Sequence, residues 1–114
     1  MENSLFEKII SREISADIVW ESEDVLVFRD IAPQAPTHLL AIPKRHFERI
    51  AEFPDQETEL LGKVLIGAKK AAANVGLAQT GYRLVINNGL DAGETVPHLH
   101  VHILGGRKMQ WPPG

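Results

Sequence analysis

The chain contains no cysteine, which excludes disulfides and thiolate metal ligands. No apolar run approaches the length of a membrane span. The opening Met1-Glu2-Asn3-Ser4 is acidic and polar, so no secretory leader is expected. Basic charge is not in excess: 12 Lys and Arg against 15 Asp and Glu leave a net charge of −3. That balance argues against a nucleic-acid-coating surface and leaves room for a small anion at a local site. Internal repeats, low-complexity tracts and linkers are missing too. What remains is a chain of 114 residues, 44% of them apolar. It fits one compact domain over 1–114, in a cytoplasmic protein with no membrane or nucleic-acid partner.

Short elements follow one another along the chain. Ser4-Leu5-Phe6-Glu7 has the form of a capping box, and Leu5, Phe6, Ile9 and Ile10 recur at helical spacing. This predicts a short helix over about Ser4 to Ser11. Ile18–Glu21 and Val25–Phe28 are β-rich runs parted by Ser22-Glu23-Asp24, the form of a hairpin. Two prolines make Ile31–Pro36 a loop, and His38–Ile42 reads as a third strand stopped by Pro43. A longer helix is expected from about Gln56 to Val75. Leu60, Leu61, Val64, Leu65, Ala68, Ala72 and Val75 form its apolar face, and Gly76 its stop. Tyr82–Asn87 reads as a fourth strand, 88–95 as a glycine-bearing loop and Leu99–Leu104 as the last strand. Residues 105–114 form a tail that ends in the stiff Trp111-Pro112-Pro113-Gly114. The order predicts an α+β fold, a five-stranded antiparallel sheet with one long and one short helix.

The chain has five histidines, and His98, His100 and His102 alternate with Leu99, Val101 and Ile103. On a strand this period of two sends all three imidazoles to one face and the aliphatics to the other. A sheet has no need of three imidazoles in a row, since Val or Thr would suit it better. Two chemistries fit the spacing. Strand histidines can hold zinc with a further ligand, for which His38 is a candidate. Alternatively, an imidazole can act as acid, base or nucleophile and form a covalent phosphoramidate. Ahead of the row lie Asn87-Asn88-Gly89 and Ala92-Gly93-Glu94-Thr95. Their glycines let backbone N–H groups approach an anion, and Thr95 adds a hydroxyl. These features favour phosphate chemistry over a metal.

His98-Leu99-His100-Val101-His102-Ile103-Leu104 matches a histidine triad followed by two apolar residues. The match extends through Phe28–His38, Ile42-Pro43-Lys44-Arg45-His46 and the ending Gly105–Gly114. The chain therefore resembles the histidine-triad (HIT) superfamily. More narrowly, it resembles the nucleotide-binding branch called Hint. The ending separates that branch from the dinucleoside-polyphosphate hydrolases, and the third histidine from the nucleotidyltransferases.

The resemblance implies hydrolysis of purine nucleoside phosphoramidates to a nucleoside monophosphate and an amine, with no metal and no other cofactor. His100 would attack the α-phosphorus through Nε2, and the His98 carbonyl would hold its Nδ1–H. His102 would donate to a phosphate oxygen, with His98 and His38 supporting both. Thr95 would serve the leaving amine, while Asn87 and the backbone around Gly93 would steady the phosphate. Asp30 would take the ribose hydroxyls, and Leu5, Phe6, Ile9, Phe28 and Ile31 would both line the base pocket and pack the core. A homodimer is also implied, joined through the fourth strand and second helix, with the Trp111 tail reaching toward the partner's site. Four positions depart from the family pattern. Thr95 stands where Ser is common, Glu94 for Gln, Pro97 for an aromatic or polar residue, and Gln110 for His. Glu94 matters most, because a carboxylate beside phosphate is repulsive unless it turns away or is protonated. Alternatives are a dinucleoside-polyphosphate hydrolase, a non-catalytic nucleotide-binding adaptor, and a zinc module of His38, His98, His100 and His102.

Overall fold

The computed structural model describes residues 4–114; Met1–Asn3, where the absence of a leader is partly read, lie outside the described residues. Helix α1 (Leu5–Ile10) is closed at its start by a reciprocal capping box between Ser4 and Glu7, both bonds 3.1 Å long. Six residues are too few for a helix to stand alone, so α1 depends on burying Phe6 and Ile9 against the sheet.

The sheet comprises β1 (Ile18–Glu21), β2 (Val25–Arg29), β3 (Thr37–Pro43), β4 (Tyr82–Val85) and β5 (Val101–Gly105). All pairs are antiparallel, in the order β1-β2-β3-β5-β4. Helix α2 (Thr58–Asn74) connects β3 to β4. The fold is thus the α+β sheet with one long and one short helix that the sequence predicts. Alternation sorts the strands into two layers. Val25, Val27, Leu39, Ala41, Val101 and Ile103 face α2, whereas Leu26, Phe28, Leu40 and Ile42 pack with Phe6 and Ile9 of α1. β2 and β3 are covered on both sides, which is why they read as nearly unbroken apolar runs.

Two details differ from expectation. The buried face of α2 is Leu60, Val64, Gly67, Ala68, Ala71 and Ala72; Leu65 lies outside it. Gly67 belongs to that face because the Trp20 ring fills the space over it: a Cβ there would sit 2.8 Å from the ring. Strands β4 and β5 are shorter than expected at their facing ends, because the Leu99 N–H turns to the Phe47 carbonyl at 2.6 Å, outside the β4–β5 ladder. Trp111 is 81% exposed and does not pack on its own sheet, so the tail leaves it. No helix among the described residues is long and apolar enough to cross a membrane.

Candidate active site

The face of the sheet away from α2 carries the imidazoles. His98 and His100 precede β5 and His102 lies within it, while Leu99, Val101 and Ile103 turn to the opposite core. The His100 and His102 ring centres are 4.9 Å apart, and the Phe6 ring stands edge-on to both His98 and His100. β3 pairs with β5 so that Leu40 faces His102 and His38 faces Leu104. His38 is therefore a diagonal cross-strand neighbour of His102, within reach on the same face.

The hydrogen bonds fix which ring nitrogen carries each proton. His100 Nδ1 lies 2.6 Å from the His98 carbonyl. A carbonyl only accepts, so Nδ1 is the protonated nitrogen and the neutral ring presents a bare Nε2. The Gln34 N–H donates to His38 Nδ1 at 3.0 Å, so the proton of neutral His38 sits on Nε2. That Nε2 is 2.9 Å from His102 Nδ1. His102 then accepts at Nδ1 and presents an N–H at Nε2. The site thus pairs an imidazole offering a lone pair with a neighbour offering a proton. His98 donates from Nε2 to the Pro43 carbonyl at 3.0 Å, and its buried Nδ1 has no partner among the described residues.

Burial favours the neutral form of His38, His98 and His102. It lowers the pKa of His38 and His98, and it pushes His102 down to about 4 with help from His100 and His38. Asp30 opposes the shift at His38 and His102 only in part.

Beside the imidazoles a cavity of about 110 Å³ lies between α1 and the sheet. It is lined by Leu5, Phe6, Ile9, Phe28, Asp30 and Ile31, and also by Ile14, Ala16 and Leu40, which the sequence did not single out. Phe6, Ile9 and Phe28 both pack the core and line the cavity. Leu5 and Ile31 do not pack the core; Ile31 is 91% exposed because it sits on the loop after β2. Asp30 directly follows that strand. One of its oxygens accepts the Ala32 N–H at 2.8 Å, and the other lies 3.5 Å from His38 Nε2.

The loop before the triad is held from the opposite side. Gly89 and Gly93 both adopt positive φ, +87° and +79°, which the turns of this loop require. Thr95 and Gly93 are exposed, and Asn87 is half-buried. Glu94 turns away from open solvent: its carboxylate accepts from Arg49 Nε and Nη2, both at 3.0 Å, and from the Gly89 N–H at 3.0 Å. Those bonds lower its pKa, so it stays ionised. Sequence reading missed Arg49, which lies 45 residues from its partner; only the need of Glu94 for a cation pointed to it. It also left His46 without a role. His46 donates from Nε2 to the Pro97 carbonyl at 2.8 Å, stacks on His98, and lies 3.6 Å from Glu7. The four-histidine zinc set does not assemble. His38 and His102 group with Asp30, and His98 groups with Glu7 and His46; each trio holds ligand-type atoms within 4.8 Å.

An antiparallel sheet carrying a row of imidazoles beside a small apolar cavity defines a class of protein, and the comparisons name it. The HIT domain model matches residues 11–109, and the chain belongs to the HIT family. It is 52% identical over 113 residues to an uncharacterized HIT-like protein of Synechococcus elongatus, covering 99% of this chain and 98% of that one. It is 50% identical to a 14 kDa zinc-binding protein of Zea mays, covering 97% and 88%. Among solved structures, a HIT family hydrolase from Legionella pneumophila superposes with a TM-score of 0.94 at 54% identity, covering 98% of this chain and all of that one. A histidine triad nucleotide-binding protein from Candida albicans gives 0.82 at 31% identity, covering 96% and 83%. The fold is that of HIT-family hydrolases and nucleotide-binding proteins.

Proposed function

We propose that this protein hydrolyses purine nucleoside phosphoramidates through a covalent nucleotidyl-histidine, as a member of the Hint branch. The observation that carries the reading is the fixed tautomer of His100, which leaves Nε2 as a lone pair beside an N–H on His102. In the first step Nε2 attacks the α-phosphorus and the P–N bond to the amine breaks. The amine leaves with a proton delivered by way of Thr95, and the His102 N–H stabilises charge on a phosphate oxygen. Water then attacks the phosphorus of the nucleotidyl-histidine and gives up a proton, which replaces the one passed to the amine by way of Thr95. The P–N bond to His100 breaks, nucleoside monophosphate departs, and His100 is restored. Asp30 and the apolar cavity hold ribose and base. No metal enters these steps.

The test is side-by-side turnover of adenosine phosphoramidate and diadenosine tetraphosphate, before and after chelation. Cleavage of the phosphoramidate, insensitive to chelator, with an acid-stopped adduct mass lost in His100→Ala, is expected. Cleavage of the dinucleotide alone would reassign the substrate. Binding without turnover or adduct would reduce the protein to a nucleotide-binding adaptor.

A homodimer through β4 and α2 belongs to the same proposal. β4 is an edge strand with an unpaired side, and Leu84 and Ile86 are exposed, as are Leu65 and Ile66 of α2. The exposed Trp111 tail is then free to reach the partner's site. A cytoplasmic setting is proposed as well, to be checked by fractionation.

A further inference from the structure

The segment 46–51 is fastened to the segment 88–99 at four points. His46 Nε2 donates to the Pro97 carbonyl, and the Leu99 N–H to the Phe47 carbonyl. Arg49 grips Glu94, and the Ala51 N–H donates to Asn88 Oδ1 at 2.8 Å. Three of these contacts use backbone groups; the Arg49–Glu94 contact joins two charged side chains. Among the described residues it is also the best shielded carboxylate pair with Arg or Lys, with the Glu94 side chain only 11% exposed. Arg49 spends its remaining arm on Glu52 at 2.7 Å and Glu48 at 3.1 Å. Glu94 also closes its own loop by accepting the Gly89 N–H. Arg49 thus anchors a loop folded around one carboxylate, and the next residue is Thr95.

We infer that Arg49 is a positioning residue: through Glu94 it fixes the loop that carries Gly93 and Thr95, and it cancels a carboxylate that would repel an anionic substrate. The inference rests on the phosphoramidase reading for its kinetic part. Two consequences separate it from a merely structural role. The first is electrostatic. Removing the guanidinium leaves Glu94 uncancelled, so binding of a nucleoside monophosphate weakens, and removing the Glu94 charge as well restores it. The second is geometric. A loosened loop misplaces Thr95, so turnover suffers most where the leaving amine most needs a proton.

The experiment compares wild type, Arg49→Ala, Glu94→Gln and the double variant. It measures adenosine monophosphate affinity at low and high salt, kcat for alkylamine and arylamine phosphoramidates, and amide exchange over 88–95. Arg49→Ala is expected to weaken binding about 10-fold at low salt and less at high salt. Its kcat should fall about 10–100-fold for the alkylamine and less for the arylamine. Loop amides should exchange faster while β2 and β3 amides do not change. The double variant should regain the affinity lost in Arg49→Ala. Wild-type affinity and loop exchange in Arg49→Ala would overturn the inference, as would a double variant no tighter than Arg49→Ala. If wild type turns over no phosphoramidate, the proposed activity falls, and the role of Arg49 is decided by the binding and exchange measurements alone.

Discussion

His38 shows how a side chain can act through another. Its Nδ1 is occupied by the Gln34 N–H, so its proton faces His102 and sets the tautomer of that ring. Without His38, His102 is free to carry its proton on Nδ1 and, in the proposed reaction, to point a lone pair at the phosphate. His38→Ala is therefore expected to lower kcat on a phosphoramidate about 100-fold, the scale of a small misplacement of a reacting group. Adenosine monophosphate affinity should change far less, and His38→Gln, which retains a donor, should recover part of the rate. Equal losses in kcat and affinity would mean that His38 only supports the sheet. The row of imidazoles was legible in the sequence, because a period of two needs only the strand to be recognised. The proton on each ring was not. It depends on the carbonyls of Pro43 and His98 and the amide of Gln34, and a backbone group carries no sequence signal.

At the scale of elements, helix α2 separates two glycines that look alike in sequence. Gly62 lies on the exposed side with nothing within 4 Å of an added Cβ. Gly67 lies on the buried side, where that Cβ would meet the Trp20 ring at 2.8 Å and Val25 Cγ1 at 3.0 Å. Replacing a helical glycine by alanine gains about 1 kcal/mol where space allows. Overpacking a core costs about 1–3 kcal/mol. Gly62→Ala is expected to stabilise the protein by about 0.5–1 kcal/mol and Gly67→Ala to destabilise it by about 1–2 kcal/mol, read from urea midpoints. Equal shifts would mean that Trp20 moves aside freely. The same helix shows the reach of periodicity. The apolar stripe located α2 and most of its buried face, but it favoured Leu65 over Gly67 and Ala71. Size explains Gly67: contact with the Trp20 ring leaves no room there for a Cβ, whereas hydropathy selects large residues. α1 was legible from its cap and from the spacing of its apolar residues. The segment 46–51 was not, since its fastening to the triad loop uses partners 37–52 positions away, counted from Ala51–Asn88 to Phe47–Leu99.

For the whole molecule, assembly and pH act together. If β4 and α2 form the twofold interface, replacing Leu84 or Ile66 by Glu should yield monomers at micromolar concentration in sedimentation, with the far-ultraviolet spectrum kept. Both side chains are more than a third exposed in the single chain, so the fold does not need them. A dimer whose mass is unaffected would place the interface elsewhere. Stability against pH then has to be measured at fixed protomer concentration, because association adds to it. Burial lowers the pKa of His38, His98 and His102 below the ordinary imidazole value of 6.5. The unfolded chain therefore binds more protons than the folded one once pH drops under about 6.5, and stability falls as pH falls. The loss from His102 runs from there to about 4, where the folded ring also protonates. That shift corresponds to about 3 kcal/mol if the unfolded ring titrates normally. Glu7, Glu21 and Glu94 are lowered from 4.5 by their hydrogen bonds and ion pairs, so they extend the loss further into acid. The urea midpoint should be flat between pH 7 and 8, decline from pH 6.5 to 4, and decline again below. His102→Asn should flatten the upper part of that decline, because it removes the ring with the largest shift. A midpoint unchanged between pH 7 and 5 would mean that the imidazole face admits protons, and water with them, while the protein stays folded.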